Sequence, residues 1–344
     1  MRAHLPILKA FVKLGSYLGD FCENDNGSLA SFDEALAKAE QQNGWFTRDN
    51  IIVALQQWSE LLTEENLSRW LSKYDFTVDN APKTIGIVMA GNIPLVGFHD
   101  FLCVLLSGNK VLAKLSSNDK ILLPYLSDYL IKEEPILAER IEFTEGKLEN
   151  FDAVIATGSN NTGRYFEHYF GKRPNIIRKN RSSVAILTGN ESQDELEALG
   201  EDIFRYYGLG CRNVAKLFVP TGYDFDAFYK AMFTFQDVIH HHKYANNYDY
   251  NKAVYLMSDF KILDNGFLVL KEDEGFSSPI AALFYSQYDS QEKLREQLLM
   301  QEEQIQCIVS AETQSNDIPF GETQNPQLGD YADGVDTMDF LLQL

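Results

Sequence analysis

The sequence predicts an α/β protein with three parts: a helical N-terminal segment, a doubly wound α/β domain, and a smaller second α/β domain. Three observations lead there. Apolar residues recur at helical spacing through the first 75 or so positions. From Lys83 onward, short runs rich in β-branched residues alternate with helical stretches across glycine turns. The 344 residues contain no internal repeat or low-complexity linker, and that length suits about two domains of roughly 150 residues each.

Taken in order, Leu5, Ile7, Leu8, Phe11, Val12 and Leu14 approximate one apolar helix face. Asn26-Gly27-Ser28 breaks that pattern. Ser28 or Ser31 suits the cap of a second helix ending near Asn43-Gly44. Thr47 or Asp49 suits the cap of a third, with Ile51, Leu55, Trp58 and Leu62 on one stripe. Thr63 opens a fourth, with Leu67, Trp70 and Leu71 inward. Residues 84–90 then read as a buried parallel strand, 95–106 as a buried helix, and Lys110-Val111-Leu112-Ala113-Lys114 as the next strand, which makes a βαβ unit. The alternation continues with helix 120–133, strands 140–144 and 151–157, helix 161–170, strands 175–178 and 183–187, and helix 192–206. Beyond Cys211 the pattern loosens. It gives strand 214–219, helix 223–236, a weak strand signal in Ala253-Val254-Tyr255-Leu256-Met257, strands near 280–285 and 305–310, a charged helix at 289–303, and a loop-rich tail from Ile318.

The charge balance narrows the function. With 30 basic against 50 acidic side chains, the chain carries a net charge of −20, which repels phosphate backbones and anionic lipid surfaces unless a basic patch is focused locally. Nucleic acid is therefore not an expected partner. No apolar run reaches the roughly 18 residues of a membrane-spanning helix, so membrane insertion is not expected either. Lys9 and Lys13 interrupt the N-terminal apolar stretch, and no small-residue cleavage pattern follows it. Cys22, Cys103, Cys211 and Cys307 are widely spaced, which suggests neither a zinc site nor a disulfide framework. The expected setting is the cytoplasm.

Several short segments carry chemistry. Cys211 follows Gly208-Leu209-Gly210 and precedes Arg212; the glycines permit close backbone approach and the cation favours a thiolate, the ordinary reading of such a lone cysteine being a small buried residue at a domain hinge. Cys103 and Cys307 sit in apolar runs, so Cys211 is the best nucleophile candidate of the four. Gly158-Ser159-Asn160-Asn161-Thr162-Gly163 follows a strand and opens a helix, either as a phosphate-holding turn or as a plain connection. Asn92, in Gly91-Asn92-Ile93-Pro94, is either an amide donor to an oxyanion or a helix cap. Residues 172–181 hold five basic side chains and no acid, which is either a solvated surface or a local anion site. His240-His241-His242 is unsuited to one shared metal, because adjacent side chains diverge. Asn247, Asp249 and Asn251 resemble a calcium loop, but Lys252 stands where glycine is needed and Ser258 where the closing Glu is needed.

In joint order these segments resemble the aldehyde dehydrogenase superfamily. The order is Asn92-Ile93-Pro94, Gly108-Asn109, Lys114-Leu115-Ser116, Gly158-Ser159 to Gly163, Gly208-Leu209-Gly210-Cys211 and Ile318-Pro319-Phe320-Gly321. Trp45-Phe46-Thr47 with Trp58 and Trp70 resembles one branch, the LuxC-type acyl-CoA reductases. The resemblance implies an aldehyde dehydrogenase-like fold. Residues 1–209 would hold the N-terminal helices and the Rossmann-like dinucleotide-binding domain, 210–317 the catalytic domain, and 318–344 a tail returning to the first domain. It implies that Cys211 is the nucleophile and that Asn92 and the Cys211 N–H stabilise the oxyanion. It places Lys114 and Ser116 at the adenosine ribose, Gly158, Ser159 and Gly163 at the pyrophosphate, and Glu274 at the nicotinamide ribose.

Two departures sharpen that implication. Hydrolytic members carry a general-base Glu where Arg178 stands here, so water should deacylate the enzyme slowly. NAD-preferring members carry Glu three residues after the lysine, where this chain has Ser117. The implied activity is therefore reduction of an acyl-CoA, or another acyl thioester, to an aldehyde with NADPH, NADH being an alternative. An ordinary aldehyde dehydrogenase and a catalytically silent dinucleotide-binding subunit are the other readings, and a homo-oligomer is compatible with all three.

Overall fold

In the computed structural model, residues 4–23, 30–76, 81–311 and 317–344 are described. The chain divides into two compact units, Met1–Lys179 with Gln327–Leu344, and Asn180–Pro326.

The first unit begins with α1 (His4–Glu23), α2 (Ala30–Gln42), α3 (Arg48–Leu61) and α4 (Glu64–Leu71). The Thr47 side chain caps α3 by accepting the Asn50 N–H at 3.4 Å, and Thr63 caps α4 by accepting the Asn66 N–H at 3.2 Å. Asn26-Gly27-Ser28 lies outside the described residues. Ile7, Leu8, Phe11 and Leu14 of α1 are buried as expected, whereas Leu5 is exposed and Val12 only partly covered. α1 packs against α3, α4, α5 and α6, and Leu5 falls outside the stripe that these helices cover.

Next come β1 (Thr84–Val88), α5 (Phe98–Leu106), β2 (Lys110–Lys114), α6 (Leu122–Glu133), β3 (Ile141–Thr144), β4 (Ala153–Thr157), α7 (Asn160–Phe170) and β5 (Asn175–Arg178). The strands form one parallel sheet in the order β3-β2-β1-β4-β5. β-branched and small residues fill its centre: Ile85, Ile87, Val111, Ala113, Ala153 and Ile155 are all buried. The strand order reverses between β1 and β4, and in such sheets ligands bind beyond the C-terminal strand ends at that reversal. α5 is buried on nearly every side, including Phe98, Phe101 and Leu105, and each such side chain contributes about 1.5–3 kcal/mol relative to exposure.

The second unit contains β6 (Ser182–Ile186), α8 (Gln193–Phe204), β7 (Val214–Pro220), α9 (Asp226–Met232), α10 (His242–Met257), β8 (Ile262–Asp264), β9 (Val269–Glu272), β10 (Ala282–Tyr288), α11 (Gln291–Leu299) and β11 (Ile305–Ser310). Its sheet runs β11-β6-β7-β10-β9-β8, parallel except for the antiparallel edge strand β8. This unit starts before the Leu209 boundary read from the sequence, because β6 pairs with β7 and β11 and so joins the second sheet. The strand expected at Ala253–Met257 is the last part of α10. Tyr244, Tyr248, Asn251 and Tyr255 form a buried helical stripe there, and that tertiary packing overrides the β-branched and aromatic composition. The helix expected over 223–236 stops at Met232 and continues as a 3₁₀ stretch, Phe233–His240.

Residues 318–326 remain with the second unit, and the chain returns to the first only from Gln327. There α12 (Thr337–Leu342) buries Met338 and Leu341 and packs on α5. Among the described residues, no helix is long and apolar enough to cross a membrane.

Candidate functional site

Within the first unit, the sequence-derived residues gather at the C-terminal edge of the sheet. β1 runs into the Gly91–Pro94 turn, β2 ends at Lys114, and β4 ends just before Gly158. The first two loops touch: a Cβ on Gly91 would lie 2.5 Å from Ser116 Oγ, so only glycine lets them approach this closely. Ser116 Oγ also accepts the Asn118 N–H at 3.2 Å, which folds the loop after β2. Lys120 pairs with Glu145 and Lys179 with Glu167, whereas Lys114 enters no ion pair among the described residues.

Ser159 is the N-cap of α7 and accepts the Thr162 N–H at 3.2 Å. Gly158 admits no side chain, since a Cβ would stand 2.9 Å from Phe166 Cε2 and 3.0 Å from Thr162 Cβ. A Cβ on Gly163 would be 3.1 Å from Lys179 Cγ, so this glycine lets α7 pack closely on the chain leaving β5. The result is a tight strand-to-helix turn with backbone N–H groups directed outward, the arrangement that suits a pyrophosphate. Lys114, at the end of β2 two strands away in the same sheet, offers an ammonium suited to a ribose or phosphate oxygen. These residues fit a nicotinamide dinucleotide.

Asn92 is not a helix cap, because Gly97 occupies that position on α5. Its turn is braced from both ends. Asn43 Nδ2 donates to Gly91 O at 3.4 Å, and the buried Asp119 carboxyl lies where the Leu95, Ile121 and Leu122 N–H groups favour its charged form. Leu95 holds φ at 56°, a left-handed conformation costly for a branched side chain. Burial pushes the Asp119 carboxyl up to about 6 against those three donors. Sequence reasoning missed Asp119, which looks like an ordinary helix-start acid.

In the second unit, Cys211 is the exposed member of four unbridged cysteines; Cys103 and Cys307 are buried and Cys22 is half-buried. Cys211 is therefore not the buried cysteine of the alternative reading. Burial also pushes the Cys22 thiol up to about 11 and the Cys103 thiol well above its ordinary value. Cys211 lies in the loop entering β7, after three consecutive left-handed residues: Tyr206 (φ 53°), Tyr207 (φ 57°) and Gly208 (φ 75°). The buried Ser183 hydroxyl on β6 donates to Cys211 O at 3.0 Å. Arg212 is not simply a cation beside the thiol, since its Nε donates to Thr323 O.

Glu274 is exposed in the loop leaving β9, at the opposite edge of the parallel sheet from the loop that holds Cys211. The segment then runs back, and Ser277 Oγ reaches Ser182 Oγ at 2.6 Å, next to the serine that contacts Cys211 O. From this segment, Ser277 rather than Glu274 arrives at the nucleophile's edge. Lys216, also missed from sequence, is buried in β7 and donates to Asp273 O and to Ser286 Oγ, which fixes the start of the Glu274 turn. Desolvation lowers its ammonium to about 8 despite the nearby Glu274 and Asp273.

The basic run at 172–181 is not one anion surface. Arg178 is buried in a bidentate pair with Asp100 and also donates to Thr337 Oγ1 at 3.0 Å. Arg173 lies over the Phe151 ring, Lys179 pairs with Glu167, and Arg181 donates to Glu302 O and Ile305 O. Among the described residues, no group of His, Cys, Asp and Glu is arranged to hold a metal ion. Asn247, Asp249 and Asn251 lie on α10, not in a loop.

Comparison with known proteins adds the family. The acyl-CoA reductase (LuxC) family model matches residues 22–233. A search of the curated proteins finds no match. Among solved structures, the fold is similar to an indole-3-acetaldehyde dehydrogenase complexed with NAD+ (TM-score 0.65, 12% identity, 90% of this chain and 72% of that one). It is also similar to a Mycobacterium tuberculosis aldehyde dehydrogenase complexed with NAD+ (0.61, 14%, 90% and 73%). A third is an E. coli NADP-dependent enzyme (0.63, 12%, 91% and 75%). At these identities the likeness is one of fold, and the fold is that of the aldehyde dehydrogenases.

Proposed function

The chain belongs to the acyl-CoA reductase (LuxC) family, and we propose that it reduces an acyl-CoA, or another acyl thioester, to the aldehyde with NADPH through an acyl-enzyme on Cys211. The single observation that carries this reading is Cys211 itself: an exposed thiol on a strained loop, inside the segment the family covers.

The Cys211 thiolate attacks the thioester carbonyl carbon. The new S–C bond forms first and puts the carbonyl electron pair on oxygen; collapse of this adduct breaks the bond to coenzyme A, which leaves as a thiolate that takes a proton from solvent. The Asn92 amide and the Cys211 N–H are the donors we assign to the transient oxyanion, each worth about 3 kcal/mol. Lys114, Ser116 and the Gly158–Gly163 turn hold the dinucleotide; Glu274, at the other end of the sheet from the Cys211 loop, is not assigned to its nicotinamide ribose. When bound, NADPH supplies the hydride that converts the acyl-enzyme to the aldehyde oxidation level. Release of aldehyde from the resulting thiohemiacetal restores the Cys211 thiol.

Arg178 supports the acylating over the hydrolytic reading. A guanidinium locked against Asp100 in the interior cannot activate water, so coenzyme A rather than water exchanges with the acyl-enzyme. The absence of a carboxylate at Ser117, an exposed position, supports NADPH, because nothing there repels a 2′-phosphate. Product analysis tests the reading. Acyl-CoA and NADPH should give aldehyde and free coenzyme A in equal amounts, and the reverse reaction from aldehyde should need coenzyme A. Acid formed from aldehyde without coenzyme A would contradict it.

A further inference from the structure

The nucleophile loop is tied by one side chain. Asn213 is buried, and its amide is used on both sides. Its Oδ1 accepts the Gly210 N–H at 2.8 Å, while its Nδ2 donates to Asp202 O at 3.0 Å and to Arg205 O at 2.8 Å. These three bonds bridge the left-handed run from end to end: Arg205 stands just before Tyr206-Tyr207-Gly208, and Gly210 just after it. Two consecutive non-glycine residues in the left-handed region cost on the order of 1–3 kcal/mol each and persist only where the surroundings over-determine them. Asn213 supplies that determination two residues beyond Cys211.

The same knot reaches the Pro319-Phe320-Gly321 segment. The Asp202 carboxylate is fully buried and accepts the Gly321 N–H at 2.7 Å, the Thr323 N–H at 3.0 Å and the Thr323 hydroxyl at 2.8 Å. Arg212 Nε closes the circuit by donating to Thr323 O. A path of hydrogen bonds thus runs from residues 321–323 through Asp202 to Asn213, and back through Arg212 to the residue adjoining Cys211. All of it lies in the second unit.

We infer that Asn213 is a positioning residue for the reductase: it ties Arg205 to Gly210 across the left-handed residues Tyr206, Tyr207 and Gly208, fixing where the Cys211 thiol and N–H point, with Asp202 anchoring it to the 321–323 segment. The inference rests on the assignment of Cys211 as nucleophile. It concerns placement and not thiol chemistry. Losing Asn213 should slow the oriented attack on a thioester far more than alkylation by a small reagent, which needs no fixed approach.

The test compares Asn213→Ala, Asn213→Asp, Asp202→Asn and Cys211→Ala with the wild type. Three readouts are taken on protein shown to be folded by circular dichroism: the burst of coenzyme A on mixing with acyl-CoA, the iodoacetamide alkylation rate, and NADPH affinity by fluorescence. For Asn213→Ala the burst rate should fall by about tenfold or more, the range expected of sub-ångström to ångström misplacement, while alkylation and NADPH affinity stay within about twofold. Asn213→Asp keeps the acceptor for the Gly210 N–H and puts an oxygen against the Asp202 and Arg205 carbonyls, so it should behave like Asn213→Ala. Should Asn213→Ala fail to fold, Asp202→Asn serves in its place. It weakens only the anchor and should give a smaller loss of the burst in the same direction. A burst as fast as wild type in either folded Asn213 variant overturns the inference, and so does a fall in alkylation matching the fall in the burst. A full burst in Cys211→Ala would instead overturn the nucleophile assignment, so the two failures are told apart.

Discussion

Arg178 and Asp100 meet in the interior of the first unit, Nη1 2.5 Å from Oδ2 and Nη2 2.9 Å from Oδ1, with both side chains more than nine-tenths buried. Thr337 of α12 completes the site from the tail. The pair joins β5, α5 and the returning tail. A buried pair broken on one side leaves an uncompensated charge. Asp100→Ala and Arg178→Ala should each cost about 3–5 kcal/mol in urea unfolding. The double variant Asp100→Leu/Arg178→Met, which removes both charges and keeps volume, should lose clearly less than the sum. Additive losses would mean that the charges are not coupled.

Two buried carboxyls give the stability a definite pH dependence. Desolvation pushes Asp202 and Asp119 up to about 6 from an ordinary 3.8, although backbone N–H donors pull the other way. Between about pH 4 and 6 the folded chain keeps protons that the unfolded chain has released, so this contribution is full below about pH 4 and is lost as pH rises through about 6. Asn at either position does not titrate. From pH 4 to pH 7, the stability of Asp119→Asn relative to wild type should therefore improve by up to about 3 kcal/mol, and likewise for Asp202→Asn after its constant offset. Urea midpoints at three pH values measure this. A flat difference would mean the carboxyls titrate normally.

Cofactor choice should turn on Ser117. Its side chain is exposed and its carbonyl accepts from Gln42 Nε2 at 2.8 Å, so the backbone stays fixed when the side chain changes. Ser117→Glu should place a carboxylate against a 2′-phosphate. The ratio of kcat/KM for NADPH over NADH should fall about tenfold or more, equivalent to about 1.4 kcal/mol. An unchanged ratio would move the discriminating contact elsewhere.

Much of this was legible in the residues, for physical reasons that also mark the limits. Strands such as 84–88 and 110–114 announce themselves because a strand covered on both faces must be continuously apolar. Thr47 and Thr63 are readable caps because the signal is local. α10 was missed because its buried face is built from tyrosines and an asparagine, whose composition mimics a strand. Cys211 stood out by its glycines, and Asn213, two residues on, lay in plain view. Its role did not, because its partners are the carbonyls of Asp202 and Arg205 at the end of α8. Asp202 itself acts on Gly321 and Thr323, more than a hundred positions away, and Arg178 on Asp100 and Thr337. No local pattern encodes such long-range pairs. The basic run at 172–181 divides for the same reason: Lys172, Arg173 and Lys179 are exposed, whereas Arg178 is buried against Asp100, a partner that the sequence does not place beside it.

Acyl-CoA-dependent oxidation of NADPH, followed at the nicotinamide absorbance in wild type and in Cys211→Ala, bears most directly on the proposed chemistry. Wild type should consume NADPH only when acyl-CoA is present and release aldehyde in step. Cys211→Ala should bind NADPH as wild type does and oxidise none of it above background. Equal turnover in the two proteins would contradict Cys211 as the acyl-carrying nucleophile.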